Sequence, residues 1–197
     1  MTIINDQYYI EQTLRGDRNA FSVLVDRHKN LVFSLALKMV KQQERAEEVA
    51  QDAFIKAFKN LKSYKGDAKF STWLYKITYR CCLDVLSASK ERYRSEPIEE
   101  SGAHSLQGTE QILTTIERKE RAALLNRCLL SLPEEERAVI WMFYYEELSL
   151  KEIVATTELS EANVKVKLHR ARKRLLAIVQ SQVEPEVINH YGQKRKR

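Results

Sequence analysis

Glycine and proline are nearly missing, with 5 and 3 in 197 residues. So few turn-formers exclude a fold of many short strands and argue for long helices joined by short loops. Cysteine is scarce too, and its count is odd: Cys81, Cys82 and Cys128. Two are adjacent and no Cys-x-x-Cys occurs, so neither a disulfide framework nor a zinc site is implied. All three read as small buried hydrophobes in a reducing compartment. No apolar run approaches the roughly 20 residues needed to cross a bilayer. The opening stretch MTIINDQYYIEQTLRGD carries acids and polar residues early and lacks the pattern of a secretory signal. A cytoplasmic protein without membrane insertion is the expectation. HExxH, a Gly-rich phosphate loop and a nucleophile set are all lacking, and the four histidines (His28, His104, His169, His190) are scattered. No catalytic residue, metal ligand, cofactor or small-molecule substrate is expected, and the protein is not expected to be an enzyme.

What is present is apolar residues at helical spacing and an uneven charge. In the first half, Tyr9, Ile10 and Leu14 open a helix that breaks at Gly16-Asp17, with Asn19 as a cap for the next. Phe21, Leu24, Val25, Leu31, Val32, Leu35, Ala36, Met39 and Val40 keep a three-and-four rhythm. A third helix, 44–61, places Ala50, Ala53, Phe54, Ala57, Phe58 and Leu61 on one face and keeps Glu47, Glu48, Gln51 and Asp52 off it. A polar stretch, 62–69, holds Gly66. A fourth helix starts near Phe70, with Ser71 or Thr72 as its cap and Trp73, Ile77 and Cys81 four apart. From 93 to 117 the composition turns to Ser, Glu and Gly, the mark of a flexible linker.

Helical periodicity returns over 118–183. Ser131-Leu132-Pro133-Glu134 and Ser149-Leu150-Lys151-Glu152 both have the spacing of a capped helix start. Ser160 caps a last helix with Val164, Leu168, Ala171, Leu175 and Ile178 on one stripe. A short helix, a tight turn at 157–159 and a capped longer helix make a helix-turn-helix pattern. Residues 160–175 contain six cations (Lys165, Lys167, Arg170, Arg172, Lys173, Arg174) and one acid, Glu161, in a chain whose whole excess is +6. A surface helix with a purely structural role mixes signs to gain i, i+4 pairs; this one does not, and it suits a polyanion. Ser160, Glu161, Asn163, Lys165, Lys167 and His169 sit at the front, where base edges are read. Arg170, Arg172 and Arg174 lie further back, where phosphates are held.

The segment running from Phe70 to Arg80 alternates aromatics with cations beside a polar loop. Aromatic faces stack on unpaired bases at about 1–3 kcal/mol each, while cations track the backbone. Trp73 and Ile77 read as core. Phe70, Tyr75, Lys76 and Tyr79 fit either core or a stacking surface.

These residues carry a resemblance to the extracytoplasmic-function (ECF) sigma factors of the sigma-70 family. Gly16-Asp17 with Ala20-Phe21 resembles the family's first patch. Glu47-Glu48 with Gln51-Asp52 and Phe54 resembles its polymerase-binding helix. Phe70-Ser71-Thr72-Trp73-Leu74 resembles its melting helix, and Leu132-Pro133-Glu134 through VKVKLHRARKRL resembles its second domain. The resemblance implies an all-α protein of two small helical domains. These are a region 2 domain at 1–92 and a region 4 domain at 118–183, joined by a flexible linker at 93–117 and followed by a basic tail at 184–197. It implies core RNA polymerase and promoter DNA as partners, and an anti-sigma factor. Glu48, Gln51 and Asp52 would dock on the polymerase clamp. Ser63, Tyr64, Lys65, Lys69, Phe70, Tyr75, Lys76, Tyr79 and Arg80 would contact the melted −10 element, and the last helix would read the −35 duplex. The 25 linker residues, 93–117, span up to about 85 Å when extended. Promoter elements less than two DNA turns apart lie within roughly 68 Å. Two positions depart from the family: Arg45 where Asp is frequent, and Arg80 where Asn is frequent. The competing reading is a stand-alone helix-turn-helix regulator. Against it stands the FSTWLY segment after EEVAQDAF, which a sensing domain has no reason to carry.

Overall fold

The structure, a computed structural model, describes residues 5–93 and 113–182, with side chains over 5–89 and 120–181. These residues form only helices: α1 (Asp6–Leu14), α2 (Arg18–Val40), α3 (Gln43–Asn60), a 3-10 turn (Leu61–Ser63), α4 (Phe70–Tyr93), α5 (Leu113–Leu130), α6 (Glu134–Tyr144), α7 (Leu150–Thr157) and α8 (Glu161–Gln182). The expected all-α architecture of two helical modules is therefore what the chain adopts. α5 begins inside the stretch expected to be linker, and Tyr93 still belongs to α4. The rest of that stretch and the basic tail lie outside the described residues.

In the front module α2, α3 and α4 pack on one another, with α1 across α2. Leu24, Val32, Leu35, Met39 and Leu74 fill the centre. α3 meets its neighbours through Ala46, Ala53 and Ala57, all fully buried. At seven- and four-residue spacing they share one face of the helix, and these small side chains let the backbones approach closely. Phe58, expected in the core, stays 42% exposed and stacks edge-on against Phe21 at 5.0 Å. Gly16 turns the chain from α1 into α2 at φ +106°, a conformation only glycine adopts without strain. In the rear module Leu129, Leu132, Ile140, Met142, Ile153, Val164 and Leu168 are buried together.

Three expected caps are displaced. Asp17, not Asn19, caps α2, accepting the Asn19 N–H at 2.9 Å. Thr72 lies inside α4, which starts two residues earlier. Ser131 does not cap α6. Its hydroxyl donates back to Arg127 O at 3.1 Å, and Pro133, extended at ψ 146°, takes the N-cap place. The proline presets the entry to the helix, and the three glutamates after it face the positive helix end.

The two modules do not stand apart. α7 lies against α4, and α6 against α2. The centre of the seam is Arg137, 1% exposed. Its guanidinium donates to Lys38 O and Met39 O at the end of α2 (the latter at 2.9 Å) and to Leu130 O and Leu132 O at 3.1 and 2.6 Å. Carbonyls at a helix C-terminus have no partner within the helix and carry its negative pole. One cation thus satisfies the ends of α2 and α5, in different modules. Beside it Lys38 donates to Asn126 and lies 4.7 Å from the Trp141 ring centroid, which itself stacks on Tyr145 at 4.1 Å.

Candidate nucleic-acid interface

α7 and α8 are set by local chemistry. Ser149 and Glu152 form a reciprocal cap. The serine hydroxyl accepts the Glu152 N–H at 3.3 Å, and the Glu152 carboxylate accepts the Ser149 N–H at 2.9 Å. Those bonds hold the Glu152 carboxyl below the usual carboxylate range. α7 stops where Glu158 takes a left-handed conformation, φ 60°, and Ser160 then accepts the Asn163 N–H to start α8. Val164, Leu168 and Ala171 face the core. The opposite side of α8 is turned to solvent.

On that side Ser160, Glu161, Asn163, Lys165, His169, Arg170, Arg172 and Arg174 are exposed, and Lys167 is half-buried. Glu161 pairs with Lys165 at 2.6 Å, and the lysine holds its carboxyl below the ordinary range. Lys167 pairs with Glu135 of α6, and Arg174 approaches Glu136 at 3.5 Å. Arg172 donates to the Tyr144 hydroxyl at 2.7 Å and lies over the Phe143 and Tyr144 rings. The three arginines assigned to phosphates therefore differ. Arg172 and Arg174 brace α8 against α6, while Arg170 points away with no acidic partner among the described residues. Lys173, which follows Arg170 by three, is likewise exposed and belongs with it; its place in the run of cations was the available signal.

The front module offers a different surface. Ser63, Tyr64, Lys65, Gly66, Asp67 and Ala68 curl around a cavity of about 210 Å³, closed below by Thr72, Trp73 and Lys76. Gly66 turns at φ +80°, and the Tyr64 hydroxyl donates to Ala68 O at 2.7 Å to fasten the loop. Lys65 and Lys69 are exposed around it. Tyr64, Phe70 and Trp73 pack mutually at 5.5–5.6 Å. Of the two readings open for Phe70, the structure takes core, while Trp73, read as core, is not fully enclosed. Phe70 is 3% exposed, wedged against His28 at 5.4 Å, and offers no free face. Trp73, expected in the core, is half-buried and lines the cavity.

Further along α4, Tyr75 and Tyr79 are 1% and 2% exposed, so neither offers a face to a base in this arrangement. Burial raises both hydroxyls. Tyr79 rises to about 12 with Glu135 adding to the effect, and Tyr75 goes higher still beside Glu146. Lys76 and Arg80 both reach Glu158 of the rear module, at 2.9 and 2.5 Å. The two cations, Arg80 foremost, hold the Glu158 carboxyl down to about 2.

On α3, Glu48, Gln51 and Asp52 share an exposed face. Ile55, half-exposed, and Phe58, read from periodicity as core, continue it; Ile55 has no place in the apolar stripe, so periodicity gives it no signal. Arg45, one of the two departures, donates to Ser89 of α4 at 3.0 Å. Among the described residues no group of three or more His, Cys, Asp or Glu gathers to hold a metal, and no helix is long and apolar enough to cross a membrane.

The family model for sigma-70 region 2 matches residues 24–92, and that for sigma-70 region 4 matches residues 122–175. The ECF RNA polymerase sigma factor SigW of Bacillus subtilis is 33% identical over 173 residues, 84% of this chain and 92% of its own length. The chain belongs to the ECF sigma factors of the sigma-70 family. Two further relatives agree. The RNA polymerase sigma-H factor of Pseudomonas aeruginosa is 30% identical over 89% of this chain and 94% of its own. The ECF RNA polymerase sigma-E factor of Escherichia coli K12 is 31% identical over 87% and 93%. Among solved structures, CnrH in complex with the cytosolic domain of CnrY has a TM-score of 0.62 at 24% identity, covering 90% of this chain and 99% of that one. The sigma factor RpoE of Bartonella quintana, in complex with the anti-sigma factor NepR, also reaches 0.62, at 19% identity over 81% and 96%; both likenesses speak for the fold. As a sigma factor the chain functions in transcription initiation, and the stand-alone regulator is not favoured.

Proposed function

We propose that this sigma factor divides promoter recognition between its modules, and that the exposed cationic side of α8, on a doubly capped helix-turn-helix, carries the −35 half. Ser160, Glu161, Asn163, Lys165, Lys167 and His169 face base edges in the major groove. Arg170, with Arg172 and Arg174 behind it, faces phosphates. In the front module the loop with Ser63, Tyr64 and Lys65 takes a flipped base of the melted −10 strand. Trp73 supplies a stacking face, and Lys69, Lys76 and Arg80 supply charge. Flipping costs a few kcal/mol, and stacking with charge neutralisation offsets it. Phe70, Tyr75 and Tyr79 act there by shaping the helix that carries the cations. The acidic face of α3, Glu48, Gln51 and Asp52, docks on the polymerase clamp, with Ile55 supplying apolar contact.

The working domains are 1–92 and 118–183, joined by the stretch 93–117 and followed by the tail 184–197. The chain has no chemistry of its own and acts as a polymerase subunit, in the cytoplasm. An anti-sigma factor is its further partner; the Bartonella quintana sigma factor of like fold is solved in complex with one.

Run-off transcription with purified core RNA polymerase tests this, using a pool of promoter fragments from the source genome. Addition of the chain is expected to give initiation at defined sites, while the chain alone binds the same fragments weakly. No initiation on any template, with no association with core enzyme, overturns the reading.

A further inference from the structure

The rear module covers the very residues the front module is proposed to use on single-stranded DNA. Ala155 of α7 completes the wall of the cavity formed by the 63–68 loop and Trp73. Glu152 reaches across to Thr72, its carboxylate 3.4 Å from the buried hydroxyl. Glu158 places one carboxylate oxygen between the Lys76 ammonium and the Arg80 guanidinium, at 2.9 and 2.5 Å. Among the described residues, no second carboxylate pairs directly with either cation. Two cations one helical turn apart on α4, converging on a single oxyanion beside an aromatic-lined cavity, form the arrangement that a strand's phosphate and its flipped base would require.

We propose that Glu158 is an internal stand-in for a backbone phosphate, so that the free sigma factor holds its own −10 site occupied. This deepens the proposed role of Lys76 and Arg80 and rests on it. The position of Glu158 favours such a use. It ends α7 in the left-handed conformation, φ 60°, which glycine or asparagine commonly fills at this place. A glutamate there accepts backbone strain, and its side chain projects out of the turn onto α4. The same turn leads directly into α8. Engagement of α8 by duplex, or of the modules by polymerase, can therefore draw the carboxylate away and free both cations at once. The binding-competent population of the free chain is reduced accordingly.

Two variants remove the carboxylate without harming the fold. Glu158→Gly relieves the left-handed strain, and Glu158→Gln keeps the side-chain length. The probe is a fluorescein-labelled 12-nucleotide single-stranded DNA of mixed sequence, titrated with the full chain and followed by anisotropy. Both variants are expected to bind it roughly three- to tenfold more tightly than the parent, the range two exposed charge pairs can account for. Glu120→Ala, which removes an exposed charge of the same module on α5, is expected to leave affinity unchanged. Lys76→Ala/Arg80→Ala tests the underlying reading in the same assay. If that double variant binds the strand as well as the parent, the −10 reading of these cations fails and the proposal falls with it. If the double variant loses binding while Glu158→Gly and Glu158→Gln do not tighten it, the reading stands and the phosphate stand-in is wrong. A rise with Glu120→Ala equal to that of the Glu158 variants also overturns it, since net charge alone then explains the change.

Discussion

α4 and α8 are the two cation-bearing helices proposed to meet DNA, and their settings are opposite. α8 turns its charges to solvent and braces itself with Arg172 on Tyr144 and Lys167 on Glu135. α4 turns Lys76 and Arg80 to another module, which answers them with Glu158. The difference follows from what lies behind each charge. Cations on a helix whose far side is already packed remain available to a polyanion. Where the same helix also presents Tyr75 and Tyr79, apolar surface recruits a cover, and the cover brings its own acid. A duplex-binding surface can thus stay open at little cost. A surface built to hold unstacked bases is partly apolar, and the chain buries it when no strand is present.

The seam joins α4 and the rear module into one body, and the largest effect should come from breaking it at Arg137. Arg137→Ala leaves four carbonyls at two helix ends without a donor. It is expected to cost about 3–5 kcal/mol, as removal of one member of a buried charged network does. Urea unfolding followed by circular dichroism reads it. If the modules are one cooperative unit, a single transition moves for both; a front module unfolding at its parental midpoint would separate them and weaken the contrast between α4 and α8. Arg137→Lys should recover little, because an ammonium cannot span carbonyls on both sides of the seam.

A smaller effect sharpens the open side. Lys165→Ala should weaken duplex binding by about 1–3 kcal/mol on the preferred −35 sequence and much less on others. Arg170→Ala should weaken every duplex alike and reduce the slope of log affinity against log salt by about one. Titrations at several salt concentrations on two duplexes distinguish them. Identical behaviour of the two variants would remove the division between reading and holding along α8.

Much of the open side was legible in the sequence, and little of the covered side. The Ser149–Glu152 cap, the turn at Glu158 and the Ser160 cap are local chemistry, so spacing alone located α7 and α8. The buried stripe of Val164, Leu168 and Ala171 followed from periodicity, and so did the cations opposite it. The seam has no such signal. Nothing in the order of residues says that Glu158 lies on Arg80, 78 positions away, or that Arg137 closes the end of α2. The aromatics show the same limit. Trp73 reads as core from its spacing with Ile77 and Cys81, while Phe70, three positions earlier, fits either core or a stacking surface. Which of them is walled in by His28 and which borders the loop depends on packing between helices. The start of α5 was missed for a related reason. Its first residues, Leu-Thr-Thr, follow a polar stretch and resemble linker composition more than helix.

The smallest effect is a dependence on pH that belongs to the seam alone. Glu158 ionises at about 2 in the closed arrangement, against an ordinary value of 4.5. A depressed carboxylate favours closure fully above its ordinary range, and that contribution is lost as pH falls through about 2. Lys38, on the same seam, has its pKa lowered, first by burial and then by the neighbouring Arg137. A lysine so shifted opposes closure while it is charged, and the opposition is relieved as pH rises through its lowered value. Both groups therefore strengthen closure with increasing pH, one at the acid end and one at the alkaline end, with a flat interval between. At the alkaline end the raised hydroxyls of Tyr75 and Tyr79, which favour closure only while neutral, oppose the lysine. A distance between probes on Lys29 and Lys151, one in each module, should therefore read one clear step, at the acid end, and Glu158→Gln should abolish it. Because Glu158 is exposed, water and salt screen its pairs, and the acid step should shrink as ionic strength is raised. An acid step that survives both the substitution and high salt would belong to other carboxylates, and the cover over α4 would then be held by its apolar contacts and Arg137.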